Sequence, residues 1–338
     1  MTETHDTWRL IGASVRGANH VRQGIRNQDF IGWEPADACM NESGTVTPFV
    51  ISLADGHGSE KYFRSHIGAQ FAVEIANEVL YQFAQTHVHL PFSRIEVDAE
   101  RLPHQILAQW KQDVERNWEN DRQTDDEIAW LEEHVSARKA IAKNPTIPYG
   151  TTLISTLITE RFILYCQVGD GNVITVAGDG TYAEPVPPDE RNFANEAVSL
   201  CNAVPKDFQL HIQQLGTKQP ALIMLATDGY VNSFRDIHGF YKVATDIWDL
   251  IINSGEDGLQ MVANSLEGWL ERSTQMGSGD DISVGILWHM SAFQGQIARA
   301  EAPSSSTEIV SPSPLPGVAL TNIDDESTQP APTSRANS

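Results

Sequence analysis

The stretch ISLADGHGSE, residues 51–60, is an apolar run that stops at Asp55 and continues as two glycines around a histidine. Residues 48–54 are predicted to form a buried strand, because apolar side chains dominate both of its faces. A single aspartate at a strand end is usually a turn residue, since its side chain bonds its own backbone. Its meaning therefore depends on how the other strands of the chain begin and end.

Two further apolar runs have a carboxylate at the same kind of position. LIMLATDG ends at Asp228-Gly229, and SGDDISVGIL begins at Asp280-Asp281. If these strands lie side by side, the carboxylates converge and repel one another unless protons or cations neutralise them. Oxygen ligands without a His or Cys cluster favour Mg²⁺ or Mn²⁺. Two such ions bridged by Asp55 would create a hydroxide nucleophile for in-line displacement at phosphorus, and His57 would be free to handle a proton.

The composition is that of a globular protein, with 338 residues of which 41% are hydrophobic and 20% charged. A formal net charge of −22 opposes binding to nucleic acid and to anionic membranes. No segment approaches the ~18 apolar residues of a membrane span, and the first ~20 residues lack the apolar region of a secretory signal. Cys39, Cys166 and Cys201 are scattered, which is typical of reduced thiols. We therefore expect a cytoplasmic protein with no nucleic-acid or membrane partner.

The chain divides into a domain and a tail. Residues 291–338 are rich in Ser, Pro, Thr and Ala, so they are predicted to be disordered because they cannot bury enough surface to offset ordering entropy. Residues 1–290 show no repeat or linker and are predicted to be one domain. Consecutive β-rich runs with short turns predict an antiparallel sheet. Helical spacing of apolar residues predicts helices between and after them, which indicates an α+β layered sandwich.

Two local expectations concern the helices. Ser59 is predicted to cap the helix that follows the first acidic strand end. The helical block 102–142 is predicted to have a second apolar stripe at Ile128, Leu131 and Val135, after a polar break.

Five segments, taken in order, resemble the motifs of the metal-dependent Ser/Thr protein phosphatases, the PPM or type-2C family, in a bacterial style. They are GASVRGANHVRQGIRNQDF (12–30), LADGHGS (53–59), YGTTLIS (149–155) with VGDGNV (168–173), LATDGYVNSF (225–234) and SGDDISVGIL (278–287). The match spans nearly all of residues 10–290, and the ordered set is highly specific although no piece is distinctive alone. The resemblance implies a four-layer α-β-β-α sandwich of two antiparallel sheets flanked by helices.

The resemblance also implies hydrolysis of phosphoserine and phosphothreonine in proteins at a centre of two Mn²⁺ or Mg²⁺ ions, with a metal-bridging hydroxide attacking phosphorus in line. By position, Asp55 would bridge both ions and the carbonyl of Gly56 would bind one of them. Asp228 and Asp280 would hold the other ion. His57 falls on the position proposed as general acid to the leaving alkoxide, which is a poor leaving group without a proton.

Three residues are expected to support the metal ligands from behind. Many relatives carry Glu-Asp where this chain has Gln28-Asp29, and a neutral Gln is expected to bind a metal weakly, through water. Asp281 stands where relatives often have Asn.

Some bacterial relatives have an Asp just before the GTT motif for a third metal, and NPTIPY (144–149) has none, so a third ion is not expected there.

The residue that grips the phosphate departs from the family's pattern. Gly24 occupies the position of the usual Arg, and the segment is longer here. His20 and Arg22 are the two equal candidates to replace it, with Arg26 nearby. A guanidinium suits phosphate because it can form two parallel hydrogen bonds.

Other segments are assigned more simply. Asp170 is interpreted as a structural turn residue, where the family has Gly-Asp-Ser. The stretch 91–148 is interpreted as a helical insertion whose Trp110, Trp118 and Trp130 pack against the domain. Residues 187–210 correspond to the family's mobile flap, where we expect substrate choice to reside.

Three functions remain open from the sequence. The leading one is a protein-serine/threonine phosphatase that opposes a Ser/Thr kinase in signalling. The alternative is a catalytically weak or inactive phosphatase-like domain that binds a phosphoprotein or regulatory partner. It is supported by Gln28 in place of the usual Glu and by the absence of the family's Arg at position 24. A two-metal hydrolase of another phosphoester is the third, although a nuclease is disfavoured by the acidic charge.

Overall fold

The computed structural model describes residues 8–38, 47–187, 198–216 and 219–289. Their strands, in chain order, are β1 (Trp8–Val15), β2 (Phe30–Glu34), β3 (Phe49–Ala54), β4 (Leu153–Ile158), β5 (Phe162–Val168), β6 (Asn172–Val176), β7 (Tyr182–Ala183), β8 (Gln209–Gln214), β9 (Leu222–Ala226) and β10 (Ile282–His289). Their helices are α1 (Ala18–Gln23), α2 (Ser65–His87), α3 (Phe92–Ala99), α4 (Leu102–Asn120), α5 (Asp125–Glu133), α6 (Val135–Ile141), α7 (Asp228–Val231) and α8 (Ile237–Met276). The tail 291–338, Cys39 and the middle of the expected flap lie outside the described residues.

The strands form two antiparallel five-stranded sheets. Sheet I has the order β1-β10-β9-β6-β7, and sheet II has the order β2-β3-β4-β5-β8. Alternation along β3 shows how the layers are made: Ile51 and Leu53 pack between the sheets, while Val50 and Ala54 pack on the outer face of sheet II against α2. On the other side, α8 covers the outer face of sheet I. The predicted four-layer α+β sandwich is therefore confirmed.

The helices agree with the sequence in part. Gly255, with φ 54°, interrupts α8 between two helical segments. Ser59 does not cap α2; it precedes a single 3₁₀ turn, Glu60–Tyr62, and makes no side-chain capping bond. None of the helices in the described residues is long and apolar enough to cross a membrane.

The region 91–148 is helical, but α5 is not attached to the domain through the predicted apolar stripe. Trp110 is fully buried, and its Nε1 donates to Gly68 O at 2.9 Å, so it packs as expected. Ile128 and Val135 are 43% and 46% exposed, so the predicted second apolar stripe is wrong. The helix α5 has no buried residue and is held instead by polar and aromatic contacts to the segment before α2.

The antiparallel register brings the motif segments to one edge of the sandwich. In sheet II, Ala54 at the end of β3 pairs with Phe30 at the start of β2, and Leu153 at the start of β4 pairs with Val168 at the end of β5. In sheet I, Ala226 at the end of β9 pairs with both Asn172 and Val284. All five segments of the resemblance therefore begin or end at this edge.

Candidate metal centre

Three carboxylates meet at the shared edge. Asp55 follows β3, Asp228 is the first residue of α7 directly after β9, and Asp170 lies in the turn between β5 and β6. One side-chain oxygen of each lies within 4.8 Å of the other two. Asp55 and Asp228 are within hydrogen-bonding range of each other, although two carboxylates offer no donor unless one is protonated. Asp280, which precedes β10, adds a fourth negative charge that acts on Asp55.

The backbone around Asp55 is held by the segment before β4. Thr152 N donates to Asp55 O at 2.9 Å, and Asp55 N donates to Thr152 Oγ1 at 3.0 Å. His57 N donates to Gly150 O at 3.1 Å. A β-carbon on Gly56 would lie 2.6 Å from Gln28 O, so only glycine fits between these strands. This close packing sets the direction of the Asp55 side chain and the Gly56 carbonyl.

The electrostatics of the cluster favour a cation. Burial, followed by the charges of Asp29 and Asp228, raises the pKa of Asp55 well above its ordinary value. Burial and the nearby Asp281 do the same for the pKa of Asp29. Burial also raises the pKa of Asp280. Carboxylates this close repel one another when they are ionised, and a bound cation offsets that repulsion. Such an oxygen-only donor set is the one that Mg²⁺ and Mn²⁺ prefer.

Asp29 supplies a further observation that fits a metal. Its Oδ2 accepts from Thr227 Oγ1 at 2.8 Å. Its Oδ1 is buried without a hydrogen-bond partner among the described residues, and the residue is only 6% exposed. An orphaned buried carboxylate oxygen is costly, and a metal ion or a water held by one would satisfy it. The residues present therefore fit a divalent-cation centre.

Asp281 has both carboxylate oxygens committed to backbone amides. Gly17 N donates to Oδ1 and Gln28 N donates to Oδ2, each at 2.6 Å, and the residue is buried. His20 Nδ1 lies 2.9 Å from Asp281 Oδ2. Asp281 therefore fastens the loop between β1 and β2 to the start of β10.

Of the cationic candidates for the phosphate, His20 lies closest to the cluster's loops. Its side chain is 12% exposed and also lies 3.9 Å from Asp280 Oδ1. A β-carbon on Gly58 would lie 3.9 Å from His20 Nε2 and 3.6 Å from Gln28 Oε1, so both polar atoms border the same space. Arg22 is exposed and donates to Asn19. The structure therefore does not bring Arg22 to the acidic cluster.

Arg26 and Gln28 make contacts with the start of α2. Arg26 Nη1 lies 3.1 Å from His66 Nε2. Gln28 Nε2 donates to Ser65 Oγ at 2.9 Å, while its Oε1 is buried without a partner among the described residues. Gln28 is thus oriented by α2, with its free oxygen on the side of Gly58.

Sequence reasoning missed two features of this region. Asp170, interpreted as a turn residue, lies with Asp55 and Asp228. Arg64 is 2% exposed and makes a paired contact with Glu127 of α5. Gly-Asp-Gly was the only local signal for the first, and a second Gly-Asp-Gly at 178–180 made it ambiguous.

Comparison with known proteins gives the family. The model of the family described as "Protein phosphatase 2C" matches residues 16–271. The chain belongs to the protein phosphatase 2C family. This family consists of metal-dependent Ser/Thr protein phosphatases, and the chain is assigned to that class of enzyme. No curated protein matches the chain.

Solved structures of bacterial phosphatases resemble this protein phosphatase 2C chain more distantly. The Mycobacterium tuberculosis serine/threonine phosphatase PstP/Ppp is 13% identical with a TM-score of 0.48, over 83% of this chain and 98% of that one. Staphylococcus aureus Stp1 is 15% identical with a TM-score of 0.48, over 85% and 97%. The S. agalactiae serine/threonine phosphatase is 18% identical with a TM-score of 0.46, over 83% and 99%. The assignment rests on the family match and not on these likenesses.

Proposed function

We propose that this protein phosphatase 2C chain hydrolyses phosphoserine and phosphothreonine in proteins, with two Mn²⁺ or Mg²⁺ ions. The observation that carries the proposal is the contact between the carboxylates of Asp55 and Asp228, which come from opposite sheets. Such a contact is unfavourable without a proton or a cation between the two groups. The family match supplies the reaction class.

Four groups are proposed to hold the ions. Asp55 would offer carboxylate oxygens to both ions, the Gly56 carbonyl would bind one of them, and Asp228 with Asp280 would bind the other. When bound, the ions neutralise the phosphate oxygens and acidify a water for attack at phosphorus. The chain's own contribution is to fix these ligands through the Thr152 and Gly150 hydrogen bonds, so that little reorganisation is needed.

His57 is proposed to give a proton to the leaving serine or threonine oxygen. It follows Gly56 directly, and its ring packs on Tyr62 with the ring centroids 4.8 Å apart. A β-carbon on Gly150 would come 3.0 Å from His57 Cδ2, so the ring is confined from that side as well. A confined imidazole beside the ligand loop is suited to proton transfer at a fixed point.

His20 is proposed to contact the substrate phosphate in preference to Arg22. Its Nδ1 lies 2.9 Å from Asp281 Oδ2, and its Nε2 lies on the side of Gly58. Gln28, Asp29 and Asp281 are proposed to act behind the ligands. They would fix backbone positions, and Asp29 Oδ1 would accept a hydrogen bond from a water on an ion.

The partners follow from the reaction. A phosphoprotein substrate implies a Ser/Thr kinase that opposes the enzyme, and the net charge of −22 disfavours nucleic acid as a substrate.

We place the phosphatase domain at residues 1–290 in the cytoplasm, with the insertion 91–148 and the flap 187–210 as its variable parts. A catalytically weak or inactive domain that binds a phosphoprotein or regulatory partner is the alternative, favoured by the neutral Gln28 in place of an acid and by Gly24 in place of the usual Arg.

The test is hydrolysis of a phosphothreonine peptide by the full chain with Mn²⁺, with EDTA, and with Asp228→Asn. The matched control is Asp249→Asn, which removes the same charge from the exposed side of α8. We expect turnover that needs the metal, disappears in Asp228→Asn and is unchanged in the control.

Two results would contradict the proposal. Full turnover in EDTA, or in Asp228→Asn, would show that the carboxylate cluster is not the reaction centre. Metal binding without any turnover would favour the alternative of a phosphoprotein-binding domain.

A further inference from the structure

The turn that carries Asp170 is built tightly on both sides. It connects β5 of sheet II to β6 of sheet I, so it crosses the shared edge. Gly169 has φ 102°, and a β-carbon there would lie 2.5 Å from Thr152 Cγ2. A β-carbon on Gly171 would lie 2.0 Å from Ile154 Cδ1. Both flanking positions therefore accept only glycine, and the turn is pressed against the residues that hold Asp55.

A buried glutamine fixes the same turn from the inside. Gln167 is 6% exposed, and its Nε2 donates to Gly171 O. Asn172 Nδ2 donates to Asp170 O at 3.2 Å. The turn thus has its backbone oxygens satisfied, and the Asp170 carboxylate is left for another partner.

Among the described residues, that carboxylate lies with other acids and makes no ion pair with a cationic side chain. One of its oxygens is within 4.8 Å of oxygens of Asp55 and Asp228. Among the described residues, no side chain donates a hydrogen bond to this carboxylate. A half-buried acid in such a place is repelled by its neighbours, unless something positive lies between them.

The chain contains a second turn with the same tripeptide, in which the Asp side chain has only a local structural role. Gly178-Asp179-Gly180 follows β6, and Asp179 is exposed. Its Oδ1 accepts from Thr181 N at 3.0 Å and from Thr181 Oγ1 at 2.6 Å. This is the self-bonded turn that an Asp normally makes. Asp170 has no such bond to the residues that follow it, so a turn role does not explain its carboxylate.

A second, independent observation at the centre also fits a bound cation. Asp29 Oδ1 is buried without a hydrogen bond in the described part of the chain. Asp29 Oδ2 accepts from Thr227 Oγ1 at 2.8 Å, and Thr227 directly precedes Asp228, which places Asp29 at the same cluster. The centre therefore has more carboxylate oxygens than the chain's own donors satisfy.

We propose that Asp170 is a direct carboxylate ligand of the metal centre and binds an ion that it shares with Asp228 and Asp55. The inference rests on the proposed metal-dependent function. It adds a ligand from the crossover turn to the set that the resemblance implies. An additional carboxylate strengthens the hold on a hard divalent cation, because ligand charge contributes directly to affinity.

The first test measures Mn²⁺ binding to the full chain by calorimetry, without any substrate. Asp170→Asn is compared with Asp179→Asn, which makes the same change in the matched turn. We expect Asp170→Asn to lose one ion from the stoichiometry or to bind about tenfold more weakly or worse. The Asp179 variant should bind as the wild type does.

The second test separates a direct ligand from a residue that only orients others. Asp170→Cys should acquire a Cd²⁺-dependent thiolate charge-transfer absorption that the wild type and Asp179→Cys lack, because a thiolate at a ligand position prefers a soft cation. Circular dichroism of each variant verifies the fold.

The outcomes are distinct from those of the proposed function. Wild-type Mn²⁺ stoichiometry and affinity in Asp170→Asn, or no new absorption in Asp170→Cys, would overturn the assignment of Asp170. Mn²⁺ binding by the wild type without phosphopeptide turnover would contradict the phosphatase reaction. The comparison of Asp170 and Asp179 would still decide the ligand.

Discussion

The contact between Arg64 and Glu127 predicts how the helical insertion is held to the domain. Arg64 precedes α2 and is 2% exposed. Its Nε and Nη2 donate to the two oxygens of Glu127 at 2.8 and 2.9 Å, and its Nη1 donates to Tyr149 OH at 2.9 Å. Glu127 also accepts from Thr124 N at 2.8 Å, which closes the capping box of α5. We predict that Glu127→Ala strongly destabilises the protein.

The magnitude follows from two contributions. Loss of one member of a buried pair costs about 3–5 kcal/mol, because the other charge stays buried without its partner. The side chain of Glu127 is 13% exposed, and Arg64 keeps Asp121 Oδ2 at 3.6 Å and the Tyr149 hydroxyl when Glu127 is removed, so we take the lower end of that range. Loss of the capping box adds about 0.5–1 kcal/mol. The total is about 3–4 kcal/mol of unfolding free energy.

The assay is urea unfolding of the metal-free chain, with hydrogen exchange of the α5 amides. Glu133→Ala is the control on the exposed side of the same helix, and it should cost within about 0.5 kcal/mol. Ile128→Ala removes a side chain that is 43% exposed, and it should cost less than about 1 kcal/mol. A loss below about 1 kcal/mol for Glu127→Ala, or a larger loss for Ile128→Ala, would refute the reasoning.

Three further predictions concern the site, pH and the tail. Asp228→Ala should reduce phosphopeptide turnover to background while circular dichroism stays native, because it removes a ligand at a strand end; retained turnover would refute this. Burial with the Arg26 and Arg64 charges lowers the pKa of His66 to about 4. The unfolded chain therefore binds a proton below about pH 6.5 that the native state resists, and stability should fall from pH 6.5 to 4. Urea titrations of His66→Gln should show a flatter dependence, and an unchanged slope would contradict the assignment. Deleting 291–338 should change unfolding free energy by less than about 0.5 kcal/mol, and a larger loss would mean that the tail is docked.

A layered α+β fold was predictable because apolar β-rich runs bounded by turn signals occur together with stretches of helical apolar spacing, and the family resemblance supplied the four-layer arrangement. The convergence of Asp55 and Asp228 was expected from strands lying side by side, but β3 and β9 belong to opposite sheets. Antiparallel pairing gathers strand ends at one edge within each sheet, and the packing of the two sheets then brings the two carboxylates together. The pairing of Ala54 with Phe30 and of Ala226 with Val284 is this geometry.

The attachment of α5 was not predictable from periodicity. Apolar spacing identifies Ile128 and Val135 as helical, but spacing alone does not say that the apolar face has a surface to cover. The actual contact joins Arg64 to a residue 63 positions later, and both are polar. Charged residues are predicted to be solvent-exposed unless their partners are known. The burial of the Arg64 guanidinium was therefore not predictable from the sequence.

The two Gly-Asp-Gly turns show where local sequence stops being informative. Around Asp170 and Asp179 the tripeptide is identical, and each follows a β-strand. The difference lies in what the neighbouring strands bring: Thr181 satisfies Asp179 locally, whereas β3 and β9 deliver Asp55 and Asp228 to Asp170. A carboxylate becomes a ligand because the sheets assemble other carboxylates around it. Its role is therefore a property of the crossover between the two sheets, which no window along the chain contains.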